Sequence, residues 1–184
     1  RVVYTGASET CTDRRMTILE CIECETGEDP VGSVIWMHGF GADGSDFEPI
    51  VPMLTLAKPL RFVFPNAPMR SISINGGAQA RAWMDISSDA SQTADNDIKT
   101  AVASIEQILD RELAQGFSAN QITLAGFSQG GVVALELGLS WHKKLAGVMA
   151  LSTYLHDHQR ITDRVGFANI DTPIFMAHGI GDPV

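Results

Sequence analysis

Residues 122–131 read ITLAGFSQGG, an apolar, β-branched run that passes through Gly126-Phe127-Ser128-Gln129-Gly130-Gly131 into a helical pattern over 129–139. The run over 122–125 predicts a buried strand, and the glycine-flanked serine after it predicts a sharp turn into a helix. G-x-S-x-G between a strand and a helix exposes a serine hydroxyl at the top of a sheet, which makes Ser128 a candidate nucleophile. Glycines at 126 and 130 remove Cβ atoms where strand and helix crowd the turn. The helix dipole favours negative charge developing beside Ser128, and the Gln129 N–H points into the same space as a candidate oxyanion donor. A glycine-rich connection of this kind also occurs with no chemistry at all. A phosphate-binding loop requires a following Lys-Ser or Lys-Thr pair, or G-x-G-x-x-G, and the turn after the 122–125 run has neither.

Outward from this stretch, further continuously apolar runs predict buried strands over 33–37, 60–64, 147–151 and 174–177. Between them, Ile98, Ala101, Val102, Ile105, Ile108, Leu109 and Leu113 recur at helical spacing. They predict a helix from near Asp95, with Asp95 and Asp97 at its N-terminus and Gly116 beyond its end. Alternating strands and helices imply an α/β fold, a mostly parallel sheet with helices on both faces. Ligands of such sheets bind beyond the carboxyl ends of the strands. His38-Gly39-Phe40-Gly41 follows the 33–37 run, and the Phe40 N–H is a candidate second oxyanion donor. His38, ahead of that loop, reads as a structural histidine bonding backbone. Asp182 follows the 174–177 run, where an acid can orient a catalytic histidine. A plain turn aspartate before proline is the alternative.

With 184 residues, 45% of them hydrophobic and 19% charged, the chain suits one domain with a sizeable core. Thirteen basic against twenty-two acidic side chains give a net charge of −9, which argues against nucleic-acid binding and against docking on anionic lipid. No apolar run reaches membrane-spanning length, and the start lacks the apolar core of a secretory signal. Residues 1–15 precede the first methionine, Met16, and read as a tag or extension outside the core, leaving 16–184 as the domain. Cys11, Cys21 and Cys24 offer only half of a zinc motif, so no metal is expected and the thiols read as reduced, in a cytoplasmic protein.

Seven segments together resemble the carboxylesterase and acyl-protein thioesterase family, the phospholipase/carboxylesterase branch of the α/β-hydrolases. They are HGFGADGSDF (38–47), FPNAP (64–68), INGG (74–77), RAWMDI (81–86), GFSQGG (126–131), LSTYL (151–155) and HGIGDPV (178–184). The resemblance implies an α/β-hydrolase fold and a serine esterase or thioesterase working through an acyl-enzyme, without a cofactor. It implies Ser128 as nucleophile, Asp182 as triad acid, and Phe40 and Gln129 as oxyanion donors. Trp83 and Ile74 resemble residues lining the acyl or alcohol pocket. The implied substrates are small esters or thioesters, lysophospholipids or acylated proteins, and a homodimer is a candidate assembly. Phe40 replaces the usual Leu, Met84 stands where Tyr or Phe is common, and Thr153 where Gly is common.

The family order is Ser, Asp, His, with the histidine some thirty residues beyond the acid. No residue here matches it. The expectation is a chain lacking its C-terminal portion, from a whole of about 220 residues by analogy with the family, and weakly active or inactive as it stands. His142 reads as an exposed helix end. His156 and His158 follow the 147–151 run and are the internal candidates for a substitute base, while His178, at a strand terminus, should face structure. A metal held by His156, His158 and His178 has no ligand motif to support it. A non-catalytic binding protein on the same fold is the alternative function.

Overall fold

The computed structural model describes residues 19–86, 91–156 and 166–182. Strands β1 (Cys21–Glu25), β2 (Ser33–Met37) and β3 (Arg61–Pro65) are followed by a hairpin of β4 (Met69–Ile72) and β5 (Ala78–Arg81). Helix α1 (Ser91–Ala114), β6 (Ile122–Phe127), α2 (Gln129–Ser140), β7 (Gly147–Leu151) and β8 (Ile174–Ala177) complete the described elements. The main sheet has the order β1-β3-β2-β6-β7-β8, parallel throughout except for the antiparallel β1–β3 edge. Successive connections run from β2 to one side, into β3, and then back across to β6. The order therefore reverses between β2 and β6, and a crevice opens beyond their carboxyl ends, where sheets of this kind bind ligands.

Alternation within each strand splits the core in two. Ile35, Met37, Val63, Ile122, Leu124 and Val148 face α1 and α2. Val34, Trp36, Phe62, Phe64 and Ala125 face the other way, with Phe47 and Val51 of the 3-10 turns packed on them. Among the described residues both α-helices pack on the first of these faces, and 3-10 turns cover part of the other. Glu112, buried near the end of α1, accepts hydrogen bonds from Ser33 Oγ at 2.8 Å and Arg61 Nε at 3.0 Å. That network ties the helix to the amino ends of β2 and β3, opposite the crevice.

Strands 33–37, 147–151 and 174–177 form where the apolar runs predict them. Helix α1 begins at Ser91, a turn before the expected start near Asp95. Asp95 and Asp97 therefore sit inside the helix and make tertiary bonds instead of capping it. Asp97 takes Arg70 Nη2 at 2.7 Å and the Asp85 N–H at 2.9 Å. Cys21 and Cys24 are free thiols three residues apart on one strand, so they point to opposite faces and pack against different clusters. Burial pushes both thiols up. Cys11 lies outside the described residues. Among those residues no helix is long and apolar enough to cross a membrane.

Candidate active site

Ser128 caps α2 with φ 52° and ψ −119°, a conformation that L-residues rarely adopt. Its N–H donates to the Leu151 carbonyl at the end of β7, 2.9 Å away. Its own carbonyl accepts from the Gly131 N–H at 2.9 Å and the Val132 N–H at 3.2 Å, and from Thr153 Oγ1 at 2.7 Å. The turn is closed tightly enough to demand glycine. A Cβ on Gly126 would lie 2.1 Å from the Gly130 carbonyl oxygen, and one on Gly130 would lie 2.4 Å from that of Met37. Gln129, at the first helical position, turns its side chain away from the crevice. Its Oε1 accepts from the Trp83 N–H at 3.0 Å, and its Nε2 donates to the Met84 carbonyl at 2.9 Å.

Across the crevice, β2 ends in the His38–Gly44 loop. Ala67 N–H donates to His38 Nε2 at 3.0 Å, so that nitrogen carries no proton and Nδ1 donates to the Gly39 carbonyl at 2.7 Å. His38 is fully buried and bonded only to backbone, the structural role read from its place in the sequence. Burial holds its imidazole below the ordinary value of 6.5; Gly39 and the Asp43 and Asp46 carboxylates pull upward, and Arg81 pushes further down. A folded state that keeps this histidine neutral binds fewer protons than the unfolded chain at mildly acidic pH. Its contribution to stability is complete above 6.5 and is lost as pH falls through the folded-state value. Thermal midpoints at about pH 7.5 and about pH 5.5 should therefore drop further in the wild type than in His38→Gln.

Among the described residues, neither the Phe40 nor the Gln129 N–H has a hydrogen-bond partner, and both belong to turns that border Ser128. Gly39, Phe40, Ala42, Asp46, Phe47, Phe127 and Ser128 line a cleft of about 510 Å³. Phe40 and Phe127 are 36% and 40% exposed there, so the surroundings of Ser128 are aromatic. A groove of about 750 Å³ along β1, lined by residues such as Cys24, Glu48 and Leu56, includes none of these turn residues.

Trp83, expected on the pocket wall, is only 2% exposed and does not line the cleft. Its Nε1 donates to the His38 carbonyl at 2.8 Å, which draws the ring into the core behind the His38–Gly44 loop. Ile74 lies on the 3-10 turn Ser73–Asn75, 65% exposed and likewise off the cleft lining. Asp182 follows β8 at the same carboxyl edge as Ser128, two strands away. His178 is exposed, where it was expected to face structure, because β8 is an exposed strand among the described residues; its Nε2 lies 3.6 Å from Asp182 Oδ2. His156 bonds Asp95 at 2.6 Å in a separate pocket against α1 and α2. His142 is exposed beside Trp141 at the end of α2. His158 lies outside the described residues. Among these residues no histidine hydrogen-bonds the Ser128 hydroxyl, and no group of three or more His, Cys, Asp and Glu is placed to hold a metal ion.

Two residues at this site escaped the sequence reading. Phe127 reads only as the variable position before Ser128 in the turn, yet it ends β6 where the chain turns, which leaves its ring on the cleft. Thr153 stood out only as a departure from Gly, and its bond to the Ser128 carbonyl depends on β7 lying beside β6.

Residues 19–184 match the family model for phospholipase/carboxylesterase. Acyl-protein thioesterase 1 of Cryptococcus neoformans is 32% identical over 174 residues, which cover 91% of this chain and 73% of that protein. Acyl-protein thioesterase 1 of Yarrowia lipolytica is 35% identical over 158 residues, 83% of this chain and 70% of that one. The crystal structure of Arabidopsis thaliana SOBER1 superposes with a TM-score of 0.73 at 28% identity, covering 80% of this chain and 73% of that chain.

Proposed function

The chain belongs to the phospholipase/carboxylesterase family, a group of ester and thioester hydrolases on the α/β-hydrolase fold, and on that premise we propose that Ser128 is its nucleophile. The observation that carries the reading is the backbone of Ser128, held at φ 52° where a strand meets a helix. Such strain persists only where surrounding structure enforces it, and it gathers at functional sites.

In the proposed reaction Ser128 Oγ attacks the acyl carbonyl, and its oxygen–hydrogen bond breaks as the new carbon–oxygen bond forms. The N–H groups of Phe40 and Gln129 hold the resulting oxyanion, and collapse expels the alcohol or thiol. Water then releases the acid from the acyl-enzyme. Asp182 would orient the base that takes and returns the proton. We assign that base to none of the described histidines, since none meets the Ser128 hydroxyl. The cleft walled by Phe40, Phe47 and Phe127 suits an apolar acyl chain of small to medium length. Acylated proteins are proposed among the substrates because several relatives are named for acyl-protein thioesterase activity.

The test pairs two reagents on the 184-residue chain. A fluorophosphonate should modify one residue over a long incubation, identified by mass spectrometry as Ser128, since a single slow event suffices for labelling, while steady hydrolysis of p-nitrophenyl butyrate, which needs proton transfer in every turnover, stays near background because no described histidine meets the Ser128 hydroxyl. Failure to label Ser128 would favour a non-catalytic binding protein. Sustained Ser128-dependent turnover would instead show that a base is already present.

A further inference from the structure

The two N–H groups proposed to hold the oxyanion share one arrangement. In a trans peptide the carbonyl of one residue and the N–H of the next lie in one plane and point in opposite directions. Whatever holds the carbonyl therefore aims the N–H. The Gln129 N–H shares its peptide with the Ser128 carbonyl, which accepts Thr153 Oγ1 at 2.7 Å. The Phe40 N–H shares its peptide with the Gly39 carbonyl, which accepts His38 Nδ1 at 2.7 Å.

We infer that Thr153 and His38 are positioning residues, each clamping the back of one peptide so that its N–H faces the developing oxyanion. The inference rests on the oxyanion roles proposed above for Phe40 and Gln129. Both clamps are themselves held. Thr153 is 5% exposed and so closely packed that a Cβ on Gly131 would come within 2.6 Å of its own Cβ. It enters from the loop after β7, where Ser152 has φ 43° and donates its N–H to the Ala177 carbonyl at 2.8 Å. The helix already supplies the Gly131 and Val132 donors to the Ser128 carbonyl. Thr153 adds a bond from a different element, so the peptide is fixed against the sheet as well as along the helix. His38 is fixed by the Ala67 N–H on its far nitrogen and by the Trp83 ring, 5.4 Å away. Donation to a carbonyl also polarises its peptide and strengthens the N–H on the other side.

The experiment measures the second-order rate at which a fluorophosphonate labels Ser128, since its phosphoryl oxygen occupies the oxyanion position, with thermal midpoints recorded beside it. Thr153→Val keeps the shape and loses the hydroxyl, and should label about tenfold more slowly, less than the loss of a whole oxyanion donor. Thr153→Ser restores the hydroxyl and should recover most of that rate. At position 38 an asparagine amide can stand in for Nδ1, whereas a glutamine reaches the site of Nε2. His38→Asn should therefore label faster than His38→Gln, although Gln fills the space better and keeps the acceptor for Ala67. A purely structural role predicts the reverse order. Wild-type labelling by Thr153→Val, or equal slowing in Thr153→Ser, would overturn the clamp while leaving the nucleophile intact. A wild-type protein that does not label would remove the nucleophile assignment, and the clamps with it.

Discussion

Ser128→Gly will melt above the wild type, Ser128→Ala will melt close to it, and neither will react with a fluorophosphonate. Loss of labelling is expected if Ser128 Oγ is the attacking atom. The stability contrast comes from the backbone. At φ 52° and ψ −119° a side chain costs on the order of 1–3 kcal/mol, and alanine keeps that cost because it keeps Cβ. Glycine removes it but loses about 0.5–1 kcal/mol to its freer unfolded chain. The net gain should be about 1 kcal/mol, or roughly 2–4 °C in thermal midpoint for a domain of this size. Differential scanning fluorimetry of the three proteins decides it. A Ser128→Gly protein that melts no higher than Ser128→Ala would mean that the turn stores no strain at the serine. An active serine that weakens its own fold is a residue retained for chemistry, so the thermal and covalent readouts test one idea from two sides.

The strand–turn–helix around Ser128 was legible because three local signals coincide within ten residues: an apolar run, glycines flanking a serine, and a helical pattern directly after. The Ser33–Met37 strand and the His38 loop were legible for a similar reason, and the backbone-bonding role of His38 followed from its place at a strand end. Strand β1 was not. Its sequence CIECE alternates weakly, and it forms because β3 offers an antiparallel edge, a partner forty residues away. The β4–β5 hairpin likewise depends on the Ser73–Asn75 turn and on Asp85, which accepts from Ser73 at both backbone and side chain. Trp83 illustrates the limit of transferring a role by motif. The RAWMDI segment placed it near the site, but the direction of its ring is set by a hydrogen bond to the His38 carbonyl. His156 stands after the correct strand, yet its side chain turns to Asp95 on α1. Sequence position gave the end of the sheet for each of these residues, and only packing gave the side they face.

Gly130→Ala will damage both stability and labelling. Its Cβ would sit 2.4 Å from the Met37 carbonyl oxygen and 2.6 Å from that of His38, both backbone atoms at the end of β2. Neither can move alone. β2 is hydrogen-bonded to β3 on one side and β6 on the other, so relief must come from lifting α2 or from displacing the His38 loop. Overpacking of a core typically costs about 1–3 kcal/mol, and a clash against backbone on a central strand belongs at the upper end of that range, a fall of roughly 6–12 °C. Either movement also separates Ser128 from the Gly39–Phe40 peptide, so labelling should slow by about 100-fold, as expected for a lost oxyanion donor. Gly147→Ala is the control. That Cβ meets only the Pro173 carbonyl oxygen at 3.3 Å, on a strand at some distance in sequence from either turn. It should lose little stability and label at nearly the wild-type rate. If Gly130→Ala behaves like Gly147→Ala, the close approach of α2 to β2 is not what sets the distance between Ser128 and the Gly39–Phe40 peptide. If it behaves as expected, the glycines of this turn matter for the contact they permit between two elements, beyond the freedom they give to the backbone.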